Sequence, residues 1–281
     1  MDISYLSIII FLIITIVYYM FPAIGKLPIT LDMIENNNLS SYYNANLPRL
    51  GLYFLAVVVS QFALNTLYLV NKCGGNATAN IGMAAFYTVI PWVLMFGVMI
   101  AVLMMYPGLK TAFSDVVGYF AVAGKANDIL ASLLVDTKIE NMINTSSGMS
   151  EDAKNSMKKS AEAILKLCGN KSILINQMSP ENFVSVWDVL TPLMKNNGDI
   201  PGINEQKNEL FQLVILKDNI GEGMWYFYTA ILLISIVYYN LASKGCVKTL
   251  DQMKAGHAEF LKQEEKTLAQ QELNNSTPLT L

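Results

Sequence analysis

Four stretches of this chain are long, apolar and free of charged side chains, and they constrain its fold more than any other feature. They cover about residues 4–21, 50–70, 81–106 and 223–243. At about 1.5 Å per residue, a helix of roughly 20 residues crosses a ~30 Å hydrocarbon layer. Because a backbone in lipid must satisfy its own hydrogen bonds, each stretch is predicted to be a membrane-spanning helix.

The first stretch has a second interpretation, a signal peptide that is removed after targeting. Signal peptides carry basic residues ahead of their apolar core. No Lys or Arg precedes Ser4 in this sequence. We therefore expect residues 4–21 to stay as the first span.

The second stretch contains polar side chains at helical spacing. Gln61, Asn65, Tyr68 and Lys72 share one face of a helix. Amides are costly when they face lipid, so this face should point at protein or water. Packing between helices is the favoured interpretation, and a solute pathway is the alternative.

The third stretch contains Pro91. Proline removes one amide donor from a helix and frees the carbonyl four residues earlier, which belongs to Tyr87. A kink is therefore predicted at Pro91.

The remaining segments are more polar. Residues 23–49 read as a polar loop, and residues 110–135 as an interfacial helix or a segment packed on the bundle. Residues 136–222 are predicted to form a soluble helical module, with helices from Ser150, from Ser179 and over about 204–217. Residues 244–281 read as a charged helical tail with a disordered end. The predicted fold class is all-α, with four transmembrane helices and a small helical module between the third and fourth.

Composition excludes several kinds of function. A net charge of -3 offers no basic surface for nucleic acid. His257 is the only histidine and the three cysteines lie far apart, so no metal site or other cofactor is predicted. Whether two of the three cysteines form a disulfide is left undecided by the sequence. Catalytic motifs such as GxSxG, HExxH and the P-loop are missing, so we expect neither an enzyme nor a small-molecule substrate.

Four spans place both termini on one side of the membrane and residues 110–222 on the other. The distribution of basic residues near the span ends does not decide the orientation. The terminal side carries Lys72, Lys244, Lys248 and Lys254, and the opposite side carries Lys26, Arg49, Lys110 and Lys217.

Short motifs in residues 50–135 resemble an uncharacterised multi-pass membrane protein family of nucleocytoplasmic large DNA viruses. The motifs are Asn71-Lys72-Cys73-Gly74-Gly75, Asn80-Ile81-Gly82, Ile90-Pro91-Trp92, Tyr106-Pro107-Gly108, Phe113-Ser114 and Gly118-Tyr119. The sequence departs from the family pattern at Asp115-Val116-Val117, where a more polar pair is expected. The resemblance implies a component of the virion's internal membrane, or of its attachment to the capsid.

Three functions are compatible with these observations. A structural or scaffold membrane protein of a large DNA virus is favoured, with the lipid bilayer and other membrane or capsid proteins as partners. An oligomeric channel or transporter is the first alternative, based on the polar face of the second span. A virus entry or membrane-fusion component is the second, with residues 110–135 as its membrane-active part.

Overall fold

The computed structural model describes residues 3–73, 77–134, 171–246 and 250–275. Four helical segments in it are long and apolar enough to cross a membrane. They are Ile3–Met20, Leu39–Lys72, Asn80–Met105 and Ile203–Ser243. The predicted fold class, an all-α multi-pass membrane protein, is confirmed.

The helices are numbered here in chain order. They are α1 (Ile3–Met20), α2 (Leu31–Glu35), α3 (Leu39–Lys72), α4 (Ala77–Pro91), α5 (Gly97–Met105), α6 (Thr111–Phe113), α7 (Tyr119–Leu133), α8 (Phe183–Leu190), α9 (Ile203–Ser243) and α10 (Leu250–Asn275). Two π-helical turns (Trp92–Phe96 and Ser114–Gly118) and four 3-10 turns (Pro107–Lys110, Lys171–Gln177, Thr191–Leu193 and Lys195–Gly198) complete them. The described residues contain no strand, only one isolated bridge between Leu134 and Met194.

The fourth span and the last helix of the module are one continuous helix, α9. The sequence predicts two separate helices, over about 204–217 and 223–243. The structure shows 41 residues without interruption, which at about 1.5 Å per residue is roughly 61 Å long. The prediction of two separate helices is wrong because Gly221 is a site of close helix packing rather than a helix end.

The second span also continues beyond the membrane. Helix α3 has 34 residues and begins at Leu39, so the predicted polar loop is shorter than residues 23–49. Pro48 lies inside the helix. Tyr42, in the first turns of α3, is buried in the core of the module. Two of the four membrane helices therefore reach into the module.

The segment that follows the third span packs lengthwise against α9. The carbonyl of Leu109 accepts a hydrogen bond from Trp225 Nε1 at 2.8 Å. Further along, Ser114 lies against Gly221 and Gly118 against Lys217. Residue numbers rise on one helix as they fall on the other, so α6 and α7 run antiparallel to α9 and lead away from the spans.

Buried hydrophobic residues form two separate cores. The membrane core is built from the four spans, and its fully buried members include Phe11, Val57, Trp92, Phe96 and Leu233. The module core is built from α7, residues 174–194 (which contain α8), the N-terminal half of α9 and residues 29–42, and it includes Ala126, Leu130, Phe183, Met194 and Phe211. The predicted helix that begins at Ser150, Cys168 and the last residues of the tail lie outside the described residues.

Candidate functional site

Two lysines and two carboxylates meet at the junction between the two cores. Lys110 Nζ lies 2.9 Å from Asp218 Oδ2 and 3.1 Å from Glu222 Oε2. Lys26 Nζ lies 3.0 Å from Glu222 Oε2 and donates to Asn219 Oδ1 at 2.7 Å. We call Lys26, Lys110, Asp218 and Glu222 the ion cluster. Glu222 bridges the two lysines and stands at its centre.

Two tyrosines complete the bonding of Glu222. Tyr19 and Tyr226 donate their hydroxyl groups to Glu222 Oε1 at 3.0 Å and 3.3 Å. A separate pair lies one turn away, where Lys217 Nζ is 2.6 Å from Asp115 Oδ1. The Lys217 side chain is only 3% exposed. Three lysines and three carboxylates are thus paired at the junction between the membrane core and the module core.

The members of the ion cluster come from three different parts of the chain. Lys26 follows α1, and Lys110 ends the 3-10 turn that Pro107 opens. Asp218 and Glu222 lie four residues apart on α9, so both carboxylates face the same side. The cluster therefore ties α1 and the third span to the middle of α9.

Burial sets the electrostatics of this site. Burial alone would lower the pKa of Lys110, but the carboxylates of Glu222 and Asp218 outweigh it and raise that pKa above its ordinary value. The ammonium group therefore keeps its charge at neutral pH. Both carboxylates are bonded to lysine, so the cluster is suited to holding helices together rather than to binding a cation.

Small residues let the helices approach closely beside these charges. A Cβ at Gly221 would lie 2.6 Å from Ser114 Cβ and 2.8 Å from the carbonyl oxygen of Lys110. A Cβ at Gly118 would lie 2.6 Å from the carbonyl oxygen of Lys217. Such distances are below van der Waals contact. The two glycines fix the height at which the α6–α7 segment sits on α9.

The predicted polar face of the second span contacts three other helices. Gln61 Nε2 donates to the carbonyl of Ser7 in α1 at 3.0 Å. Asn65 Nδ2 donates to Thr88 Oγ1 in α4 at 3.0 Å. The Tyr68 ring lies 5.6 Å from that of Tyr238 in α9.

Lys72, the last residue of that face, binds the C-terminal end of α9. Its ammonium group donates to the carbonyls of Leu241, Ala242 and Lys244 at 3.0, 2.7 and 2.9 Å. The last carbonyls of a helix lack partners within it, and a cation there also complements the helix dipole. Next to it, Cys73 forms a disulfide with Cys246. We call Lys72, Cys73 and Cys246 the terminal clasp.

Pro91 lies where an α-helix gives way to a π-helical turn. It is the last residue of α4, and the π-helical turn Trp92–Phe96 begins directly after it. Proline and π-helical turns are two of the recognised causes of a bent helix. Trp92 and Phe96, in this turn, are fully buried in the membrane core.

The sequence did not predict the ion cluster. Asp218 and Glu222 fall within the predicted module and no role was predicted for them, and Lys26 and Lys110 served only to count charges near span ends. The sequence does contain a signal for the cluster, because charges of both signs flank three apolar stretches on the same predicted side of the membrane. Charges in this position can pair with one another as well as with lipid headgroups.

Comparison of the chain with protein-family models, with curated protein sequences and with solved structures finds no match.

Proposed function

We propose that this chain is a structural, non-enzymatic membrane protein that holds a helical module at a fixed position against one face of a bilayer. The membrane is that of a large DNA virus particle, or the host membrane on which the particle assembles. The likeness of residues 50–135 to a viral membrane protein family supports this identification. The partners of the module are other membrane proteins or capsid proteins.

One observation carries the proposal: the module and the spans share a continuous helix and a buried set of matched charges. Helix α9 runs from the module through the membrane without a break. The ion cluster joins α9 to the loop after α1 and to the end of the third span. A scaffold needs such a rigid connection, because its module must present the same surface at the same height on every copy.

The channel alternative has less support. The polar side chains that motivate it bond to neighbouring helices within one chain. A pore needs such groups to face water. Replacing Gln61 and Asn65 with Leu should therefore leave any ion conductance of proteoliposomes unchanged.

The entry and fusion alternative has one observation in its favour. The α6–α7 segment exposes large apolar side chains, including Phe120 at 78%. A fusion component would promote lipid mixing between proteoliposomes. We expect no lipid mixing with the wild-type chain, and mixing that Phe120→Asp abolishes would favour this alternative instead.

The scaffold proposal is tested with a photo-crosslinking amino acid in particles purified on a density gradient. Val189 is 64% exposed in α8 of the module, and Leu55 is 56% exposed on a membrane span. A crosslinker at position 189 should capture a particle protein, whereas one at position 55 should capture lipid. Absence of the chain from purified particles, together with its presence in infected-cell membranes, would contradict the proposal.

A further inference from the structure

On two sides of the ion cluster, charged side chains point inward and apolar side chains point outward. The loop after α1 exposes Phe21 and Ile24 at 53% and 59%, while its Lys26 points inward. A surface in water shows the opposite arrangement, with charges outward. Lipid is the environment in which charges turn to the protein interior.

The α6–α7 segment repeats this arrangement over four turns. The two charged residues between positions 106 and 121, Lys110 and Asp115, both form ion pairs with α9. The exposed large side chains from residue 106 to residue 121 are Tyr106, Leu109, Val116, Val117 and Phe120, and none of the exposed residues in this range is charged. The first exposed charge after them is Lys125.

The exposed side chains of α9 change from apolar to charged at the same level as those of the α6–α7 segment. Leu216 is 46% exposed, and no charged residue of α9 is exposed from there to Ser243. Towards the module the next exposed charge is Glu209. The register Gly118 to Lys217 and Ser114 to Gly221 places Lys125 opposite residue 210. On both antiparallel helices, the exposed side chains therefore change from apolar to charged at the same level.

This level lies near the outer edge of the polar layer of the bilayer. Residue 215, opposite Phe120, stands seven residues beyond Glu222, or about 10 Å. The polar layer of a bilayer adds about 5–7 Å on each side of the hydrocarbon. Helical side chains also tilt towards the N-terminus of their helix, which for Phe120 is towards the spans.

We infer that Phe21, Ile24, Leu109, Val116, Val117, Phe120 and Leu216 form an apolar collar that contacts the lipid of the module-side leaflet. The collar is continuous with the lipid-facing surface of the spans, since Phe113 packs against both Trp225 and Tyr228, at 5.0 and 6.5 Å between ring centroids. The ion cluster then lies at the boundary between the hydrocarbon and the headgroups, and Phe120 lies near the outer edge of the headgroup layer. This inference goes beyond the scaffold proposal and does not depend on it.

Spin labels can measure which medium the collar contacts. The full chain carries Cys168→Ser and keeps its disulfide, and single cysteines are placed by Phe120→Cys, Leu216→Cys and Lys125→Cys. Each labelled protein is reconstituted in nanodiscs, and collision rates with oxygen and with a water-soluble nickel chelate are compared. Lys125 is the matched control, because it is exposed on the same helix beyond the collar.

We expect the ratio of the oxygen collision rate to the nickel-chelate collision rate to be higher at positions 120 and 216 than at position 125. An equal ratio at positions 120 and 125 would place the collar in water and overturn the inference. Low collision rates for both reagents, with dipolar broadening between labels, would show a second copy of the chain in place of lipid and would overturn it equally. If Phe120→Cys does not fold, Val116→Cys, at 54% exposure, replaces it.

Discussion

Gly118 lies so close to Lys217 that a methyl group on it would stand 2.6 Å from the Lys217 carbonyl oxygen. That carbonyl belongs to the backbone of α9 and cannot move aside without bending the helix. We expect Gly118→Ala to lower the free energy of unfolding by about 1–3 kcal/mol, the usual cost of overpacking. Unfolding in mixed micelles of mild detergent and SDS measures this change.

Gly124 provides the control for this substitution. It lies in α7, on the same segment, and among the described residues a methyl group on it would meet no atom of another element within 4 Å. Ala is the better helix former, so Gly124→Ala should stabilise the protein by about 0.5–1 kcal/mol. Equal effects of the two substitutions would mean that the close contact at Gly118 is not present in the membrane.

Removing the central carboxylate of the ion cluster should be costly. Glu222→Gln leaves Lys26 and Lys110 with one fewer negative partner in a buried site, and loss of one partner of a buried ion pair costs about 3–5 kcal/mol. The same unfolding titration measures the loss. Glu209→Gln, at an exposed position of the same helix, should have little effect.

The charges themselves should be replaceable as a set. Apolar side chains of similar volume often substitute for buried ion pairs without loss of stability. We expect Lys26→Met, Lys110→Met, Asp218→Leu and Glu222→Leu together to be more stable than Glu222→Gln alone. A combined variant that is the least stable of all would show that the cluster is worth more than its desolvation cost.

Part of this site could be read from the sequence and part could not. The four spans follow directly from apolar runs without charge, and the spacing of Gln61, Asn65 and Lys72 places them on one face. The partners were not readable, because Lys110 and Asp218 are 108 residues apart in the chain. The close packing at Gly221 was not readable either, because glycine serves both in helix caps and in close packing.

The hydrogen bond between Asn65 and Thr88 should couple the second and third spans. Side-chain hydrogen bonds in membranes contribute about 0.6 kcal/mol on average and at most about 1.7 kcal/mol. A double-mutant cycle with Asn65→Leu and Thr88→Val should give a coupling energy in that range. A coupling energy of zero would mean that the two side chains do not bond in the bilayer.

The disulfide between Cys73 and Cys246 should hold the chain together after a cut in the module. With a protease site inserted after Ser150, the two fragments should run as one band until a reducing agent is added. Cys168→Ser should keep this behaviour, and Cys246→Ser should lose it. Since the bond closes a long loop, with a sequence separation of 173 residues, Cys246→Ser should also destabilise the protein by roughly 2–5 kcal/mol.

The terminal clasp also carries information about cellular compartment. Disulfides persist where thiols are kept oxidised and are rare where glutathione and thioredoxin reduce them. Cys73 and Cys246 lie on the side of the membrane that holds both termini, opposite the module. From the bond we therefore expect the termini to face an oxidising space and the module to face a reducing one, an orientation that a count of four basic residues on each side does not give.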